Sequence, residues 1–280
     1  MKKTLAMMTA AVMVAGALSG CGSSSSTPAA TTAAATEAAT TAAATEAATT
    51  EAAGDTAAAA EGTVKTPSGK FTVGFDQEFP PMGFVGDDGQ FTGFDLELAK
   101  EVASRLGLEF VPQPINWDAK DMELDSGNID CIWNGFTMQG REDDYTWVGP
   151  YMANNQVFVV TADSDIASKA DLAGKAVEVQ KDSSGLAALQ GEAELSASFG
   201  SMTEVADYNT ALMDLESGAC DAVCMDSIVA GYQIKSSGKD MKILDDTLSA
   251  EEYGIGFKKG EDELAKAVQD TLMEMKDDGT

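Results

Sequence analysis

The chain has 280 residues and a formal net charge of −28, from 46 acidic against 18 basic residues with no histidine. Nucleic acid is bound by Lys and Arg that neutralise phosphates, so this balance excludes a nucleic-acid partner. It also argues against adhesion to anionic lipid through the protein surface.

In chain order, Lys2-Lys3 precede an apolar run from Leu5 to Leu18 that ends in Leu18-Ser19-Gly20-Cys21. A basic start, a short apolar stretch and small residues before a cut describe a secretory signal over residues 1–20. The run is too short and too rich in Ala and Thr to span a bilayer. The cysteine at its end resembles a bacterial lipoprotein lipobox, which implies that Cys21 becomes a lipidated mature N-terminus. Residues 21–66 are Ser, Ala, Thr and Glu almost throughout, with Thr-Glu-Ala-Ala-Thr at Thr36 and again at Thr45. Nothing there can offset ordering entropy by burial, so a disordered tether is expected. As a flexible coil it spans roughly 35–40 Å, and glycosylation of its threonines is an alternative that would stiffen it.

With Cys21 assigned to lipid, Cys131, Cys220 and Cys224 remain, an odd number that fits no disulfide framework. Cys220 and Cys224 flank an extended run, too far apart for a bridge. With no histidine and no Cys-x-x-Cys spacing, neither a metal nor any other cofactor is expected.

From about Thr66 onward the composition is that of one large domain or two lobes. Apolar alternation predicts a strand at Lys70–Phe75. Phe94, Leu98, Val102 and Leu106, four apart, predict a helix capped by Asp95 and stopped by Gly107. Strands follow at Leu108–Val111, ended by Pro112 and Pro114, and at Ile129–Trp133, with a short helix at Asp118–Leu124 between them. Further strands are expected at Val157–Thr161, Lys175–Gln180, Ala219–Met225 and Tyr253–Phe257. Helices are expected at Ser184–Gln190, Tyr208–Glu216, Ile228–Ser236 and Asp262–Met275. This alternation predicts an α/β fold with mostly parallel sheets, whose ligands sit beyond the carboxyl ends of the strands.

The residues at those ends are polar or aromatic: Asp76 to Pro81, Trp117, Asn134-Gly135-Phe136-Thr137, Lys181 to Gly185, and Asp226, with Arg141 a little further on. They supply a guanidinium and a helix N-terminus for a carboxylate, an acid for an ammonium and aromatics for a side chain. Such a set suits a zwitterion.

Gly93-Phe94-Asp95-Leu96-Glu97-Leu98 with Val102-Ala103, and the segments Val73–Phe84, Asn128–Tyr151, Gly174–Ser184, Ala211–Asp226 and Tyr253–Phe257, resemble in order and spacing the extracellular solute-binding proteins of ABC transporters for polar amino acids. The resemblance implies a type II periplasmic-binding-protein-like fold of two lobes joined by hinge strands. Lobe 1 would comprise 67–152 plus 254–280 and lobe 2 would comprise 153–253, with crossings near Tyr151–Gln156 and Ala250–Tyr253. It further implies that Arg141 holds an α-carboxylate, aided by Ser183 and Ser184 N–H groups. Gly135 and Thr137 would hold the ligand from lobe 1 and Asp226 its ammonium. Phe79 and Trp117 would clasp the side chain, and Asp76 would line its far end.

The implied function is capture of a polar or basic amino acid by hinge closure and delivery to a membrane permease. The protein would be a monomer anchored by lipid on the outer face of the cell membrane, or periplasmic in a two-membrane cell. Three departures qualify the match. Relatives often carry one more residue between the Thr and the Arg of this loop, and often Gly where Asp182 stands. They usually continue past Asp278–Thr280 with a short helix ending in aromatics, where this sequence stops. Trp133 is expected in the core and Asp95 as a helix cap. Two rival functions share the fold: a ligand sensor, and a dehydratase of cyclic acids. An enzyme of that kind would need a raised carboxylate as its base and a site for a dianion, which Asp76 and Asp226 serve poorly.

Overall fold

A computed structural model describes Thr66 and residues 68–280; the signal sequence, Cys21 and nearly all of the expected tether lie outside the described residues. In chain order the elements are β1 (Lys70–Phe75), β2 (Glu78–Phe79), β3 (Gly83–Val85), β4 (Phe91–Thr92), α1 (Phe94–Leu106), β5 (Glu109–Pro114), α2 (Lys120–Ser126), β6 (Cys131–Thr137) and β7 (Tyr145–Thr161). There follow β8 (Ala176–Gln180), α3 (Ser184–Gly191), α4 (Ala193–Ser198), β9 (Ser201–Val205), α5 (Tyr208–Ser217), β10 (Ala222–Asp226), α6 (Ser227–Ser237), β11 (Met241–Lys258) and α7 (Asp262–Asp278).

Eight strands form one sheet in the order β5-β1-β6-β11-β7-β10-β8-β9, while β2, β3 and β4 make a small antiparallel sheet beside it. Pairing is parallel within β5-β1-β6 and within β10-β8-β9, and antiparallel where β11 and β7 join the two sets. The sheet therefore has two α/β halves. One core gathers Phe71, Val73, Phe75, Leu96, Trp133, Phe257 and Val268; others gather Val159, Leu212 and Met225, and Phe158, Val179 and Leu189. Among the described residues no helix is long and apolar enough to cross a membrane.

Local chemistry explains most element ends. Ser183 Oγ caps α3 by accepting from Leu186 N–H at 3.1 Å, and Asp207 caps α5 by accepting from Thr210 N–H at 2.7 Å. Gly107, Gly127 and Gly218 close α1, α2 and α5 in the left-handed conformation.

Three expectations need correction. Pro112 does not end the strand expected at Leu108–Val111: β5 runs through it to Pro114, because β5 lies at the sheet edge, where a missing N–H leaves no partner unpaired. Asn134 to Thr137 lie inside β6, not in a loop after it. Asp95 is not the cap of α1: Gly93 precedes the helix, and Asp95 is wholly buried in the first turn.

Gly93 explains the first residue of the Gly93-Phe94-Asp95 motif. Its φ of 135° and ψ of 164° are open essentially to glycine alone, and a Cβ there would lie 2.3 Å from Met82 O. Gly93→Ala is expected to lower the unfolding free energy by roughly 3 kcal/mol, combining strain and clash. A urea unfolding curve with an unchanged midpoint would refute this.

Candidate functional site

The site is built outward from Asp95. Its Oδ2 accepts Gly135 N–H at 2.6 Å and Tyr151 O–H at 2.9 Å, tying helix α1 to the middle of β6 and to the start of the crossing on β7. Gly135 has φ +56°, and a Cβ on it would lie 2.9 Å from the Phe79 ring and 3.1 Å from the Tyr253 ring. Glycine is required there by backbone angle and by space. Burial drives the Asp95 carboxyl up to about 7, against the opposing pull of these donors.

Where β7 faces β11, a buried polar cluster joins the halves of the sheet. Asn154 stands directly opposite Glu251. Its Nδ2 donates to Glu251 Oε1 at 2.6 Å and to Asp226 Oδ1 at 2.7 Å. Gln156 Nε2 donates to the same Glu251 oxygen at 2.9 Å and to Ser184 Oγ at 3.1 Å. Tyr253 O–H donates to Asp226 Oδ1 at 2.7 Å and Tyr208 O–H to Oδ2 at 3.1 Å. Burial first and the Glu251 charge second raise the Asp226 carboxyl to about 7.

Thr137, from β6, donates its hydroxyl to Ser184 Oγ at 3.2 Å, so one half meets the N-terminus of α3 in the other. Arg141 lies on the turn after β6, with its guanidinium 5.1 Å from the Phe136 ring centre and Nη1 donating to Thr137 O at 3.2 Å. Among the described residues it forms no ion pair, although acids outnumber bases more than twofold. Asp182, a possible source of repulsion near a bound carboxylate, is engaged elsewhere. It adopts a left-handed backbone and pairs with the buried Lys120 ammonium, which also donates to Asp182 O at 3.3 Å.

Asp76 and Trp117 line a cavity of about 910 Å³ between the halves. Its wall holds six acids, Asp76, Glu78, Asp118, Glu123, Glu204 and Asp207, against a single base, Lys181. Asp76 is buried, accepting from Glu78 N–H at 2.9 Å and from Gln180 Nε2 at 2.7 Å, and desolvation raises its carboxyl to about 6. The Trp117 ring packs edge-on against Phe136 with centroids 5.6 Å apart. Phe79 packs against Tyr208 with ring centroids 5.8 Å apart.

All nine expected site residues thus fall along the seam between the halves, in two groups. Asp76 and Trp117 face the open cavity. Gly135, Thr137, Arg141, Ser183, Ser184, Asp226 and Phe79 do not line it, and Phe79 lies beside Gly135 and Tyr208. Sequence reasoning missed Asn154, Gln156 and Glu251. Their signal was an acid doublet, Glu251-Glu252, alternating buried and exposed just ahead of buried Tyr253. Cys131, Cys220 and Cys224 are free and buried, and burial pushes their thiols up.

A sheet shared by two α/β halves, with acids, hydroxyls and an arginine gathered on the seam, defines a two-lobed binding protein of the periplasmic type. The chain belongs to the bacterial extracellular solute-binding proteins, family 3, which it matches over residues 71–280. It is 32% identical over 218 residues to the L-cystine-binding protein TcyJ of Escherichia coli K12, covering 76% of this chain and 79% of that one. The arginine-binding extracellular protein ArtP of Bacillus subtilis is 31% identical over 216 residues, covering 75% and 82% respectively. Among solved structures, a histidine-bound ABC uptake transporter substrate-binding protein of Streptococcus pneumoniae superposes with a TM-score of 0.73 at 32% identity, covering 76% of this chain and 89% of that one.

The buried acids make stability depend on pH. The Asp95 carboxyl sits at about 7 in the fold against an ordinary 3.8, so the folded protein holds a proton that the unfolded chain releases. Its contribution is fully present below about pH 4 and is lost as pH rises towards about 7. The ligand-free melting temperature is expected to fall from about pH 4 to about pH 7, and Asp95→Asn is expected to make that fall shallower, leaving the share due to Asp76 and Asp226. An identical slope in the variant would overturn the assignment.

Proposed function

We propose that this protein is the extracellular receptor of an ABC importer, and that it captures a polar or basic amino acid as its lobes close and passes it to the membrane permease. In this reading lobe 1 is 67–152 plus 254–280, lobe 2 is 153–253, and the hinge lies where β7 and β11 pair alone. Cys21 carries lipid and holds a monomer at the outer face of the cell membrane, which is the periplasmic face in a two-membrane cell. The observation that carries the reading is the contact of Thr137 with Ser184, which brackets one small region from both lobes. Arg141 and the α3 N-terminus then serve an α-carboxylate, and Asp226 serves an α-ammonium. Ligand favours the closed state because only that state offers both ends of the site.

The acid-lined cavity supports a cationic side chain over a neutral or anionic one. Lys181 in the same wall, with the similarity to TcyJ, supports cystine as a second reading, since the far end of cystine is itself a zwitterion. The relatives are named as binding proteins, which supports a receptor over a dehydratase.

A thermal-shift or tryptophan-fluorescence titration of the purified protein against the twenty amino acids and cystine tests the reading. One basic amino acid or cystine is expected to give the dominant shift. Arg141→Ala is expected to weaken that binding at least about 100-fold, by removing a bidentate charge partner, and Trp117→Ala about tenfold. Unchanged affinity in Arg141→Ala would sink the carboxylate assignment, and silence across the whole panel would sink the function.

A further inference from the structure

The cluster on the crossing strands holds more negative charge than the ammonium of one amino acid requires. Asp226 and Glu251 are both buried, and a single amide nitrogen, Asn154 Nδ2, donates to both, at 2.7 and 2.6 Å. Their oxygens can therefore be no farther apart than these two bonds laid end to end. Among the described residues neither acid is paired with a Lys or Arg. Two carboxylates this close, out of water and without a cation, cannot both stay ionised cheaply. A second observation lies beside the pair. Gln156 is wholly buried with Nε2 on Glu251 and Ser184, and its Oε1, against Gly185 at the start of α3, has no hydrogen-bond donor. Buried acceptors are normally satisfied, so this oxygen is unexplained by the protein alone.

Resting on the receptor reading above, we propose that Asp226 and Glu251 form one acidic unit, which shares a proton in the ligand-free protein and exchanges that proton for the ammonium group of the ligand. The exchange balances: one carboxyl O–H bond breaks, the proton leaves to solvent, and an ammonium that already carries its own charge takes its place. The charge of the site is the same before and after. Glu251 is then a binding residue in its own right, selecting ligands that present a full positive charge at this end.

The surroundings support this assignment. Tyr208 from α5, Tyr253 from β11 and Cys224 from β10 are the other titratable groups facing the pair. Burial pushes all three well up, so they remain neutral. Ser184 from α3 and Asn154 and Gln156 from β7 bring dipoles and no charge, and Ser227 at the start of α6 binds Asn154 Oδ1 at 3.0 Å. The Asp226 carboxyl, raised to about 7, has the Glu251 charge as its second cause.

Infrared titration of the ligand-free protein provides the first test. Asp95 and Asp76 also contribute a protonated-carboxyl band, so the band of the pair is the component that Glu251→Gln removes, and that component is expected to disappear as pH rises through about 7. Calorimetric titration with L-arginine and with L-cystine, in two buffers of different ionisation heat, provides the second. Binding is expected to release a proton near pH 6, and the affinity is expected to strengthen about tenfold per pH unit up to about pH 7 before levelling off. Glu251→Gln, nearly isosteric, is expected to bind with little pH dependence, and the wild-type buffer dependence needs no variant at all. A band unaltered by Glu251→Gln, or binding with no proton release, overturns the proposal. If neither these two compounds nor any other amino acid binds while the band persists, the receptor reading fails and takes the exchange with it. If an amino acid binds and the band is absent, the exchange alone fails.

Discussion

The pairing of β7 with β11 is the constraint on which the rest of the structure depends. The two strands run antiparallel almost end to end, from Met241 opposite Thr161 to Lys258 opposite Tyr145. Each lends its outer edge to only one half: β11 to β6 from Tyr253 to Phe257, and β7 to β10 from Gln156 to Val159. Among the described residues the ladder is two strands wide where 153–155 face 250–252. Two-stranded ribbons twist more readily than broad sheets, and irregular register at Thr247 and after Tyr253 adds local freedom. The polar cluster hangs from this ribbon, with Asn154 and Gln156 on one strand and Glu251 and Tyr253 on the other. A change of twist there necessarily moves the groups that would hold a ligand.

Strand and helix order was largely legible because apolar runs bounded by Gly and Pro punctuate this chain. β1, β8, α3 and α5 fall within a residue of their expected ends. The failures have physical causes. The expected core stripe of α1 stepped by four residues, and each such step drifts about 40° around a helix of 3.6 residues per turn. Val102, Ala99 and Ala103 of that stripe are buried together with Leu96, and Leu98 and Leu106 are partly buried against the same core, while Phe94 at its start is 44% exposed and stacks on Tyr151. β9 was not foreseen because Ser201–Val205 is almost wholly exposed and carries no apolar alternation.

The site was legible where chemistry falls at a strand end, as with Asp76, Trp117 and Asp226. It was hidden where chemistry lies within a strand. Glu251 is surrounded by sequence that resembles any solvated acidic run, and its burial follows from pairing with a segment almost a hundred residues away. Asp95 shows the converse. As an acid near a helix start it invites a capping role, yet tertiary burial gives it the Gly135 amide instead. Local preference was overruled by a contact that no short window contains.

Two ion pairs cross the seam side by side and differ in kind. Lys181 meets Asp118 at 2.6 Å in the open, with both side chains well exposed, whereas the Lys120 side chain is only 2% exposed where it meets Asp182. Salt screens the first pair and scarcely reaches the second. For the halves to part, Asp182 must leave before water can reach the Lys120 ammonium, and for that interval the charge is stranded. Separating the buried pair therefore costs more than separating the exposed one. Of the two links between the halves, it is the one that high salt leaves in place.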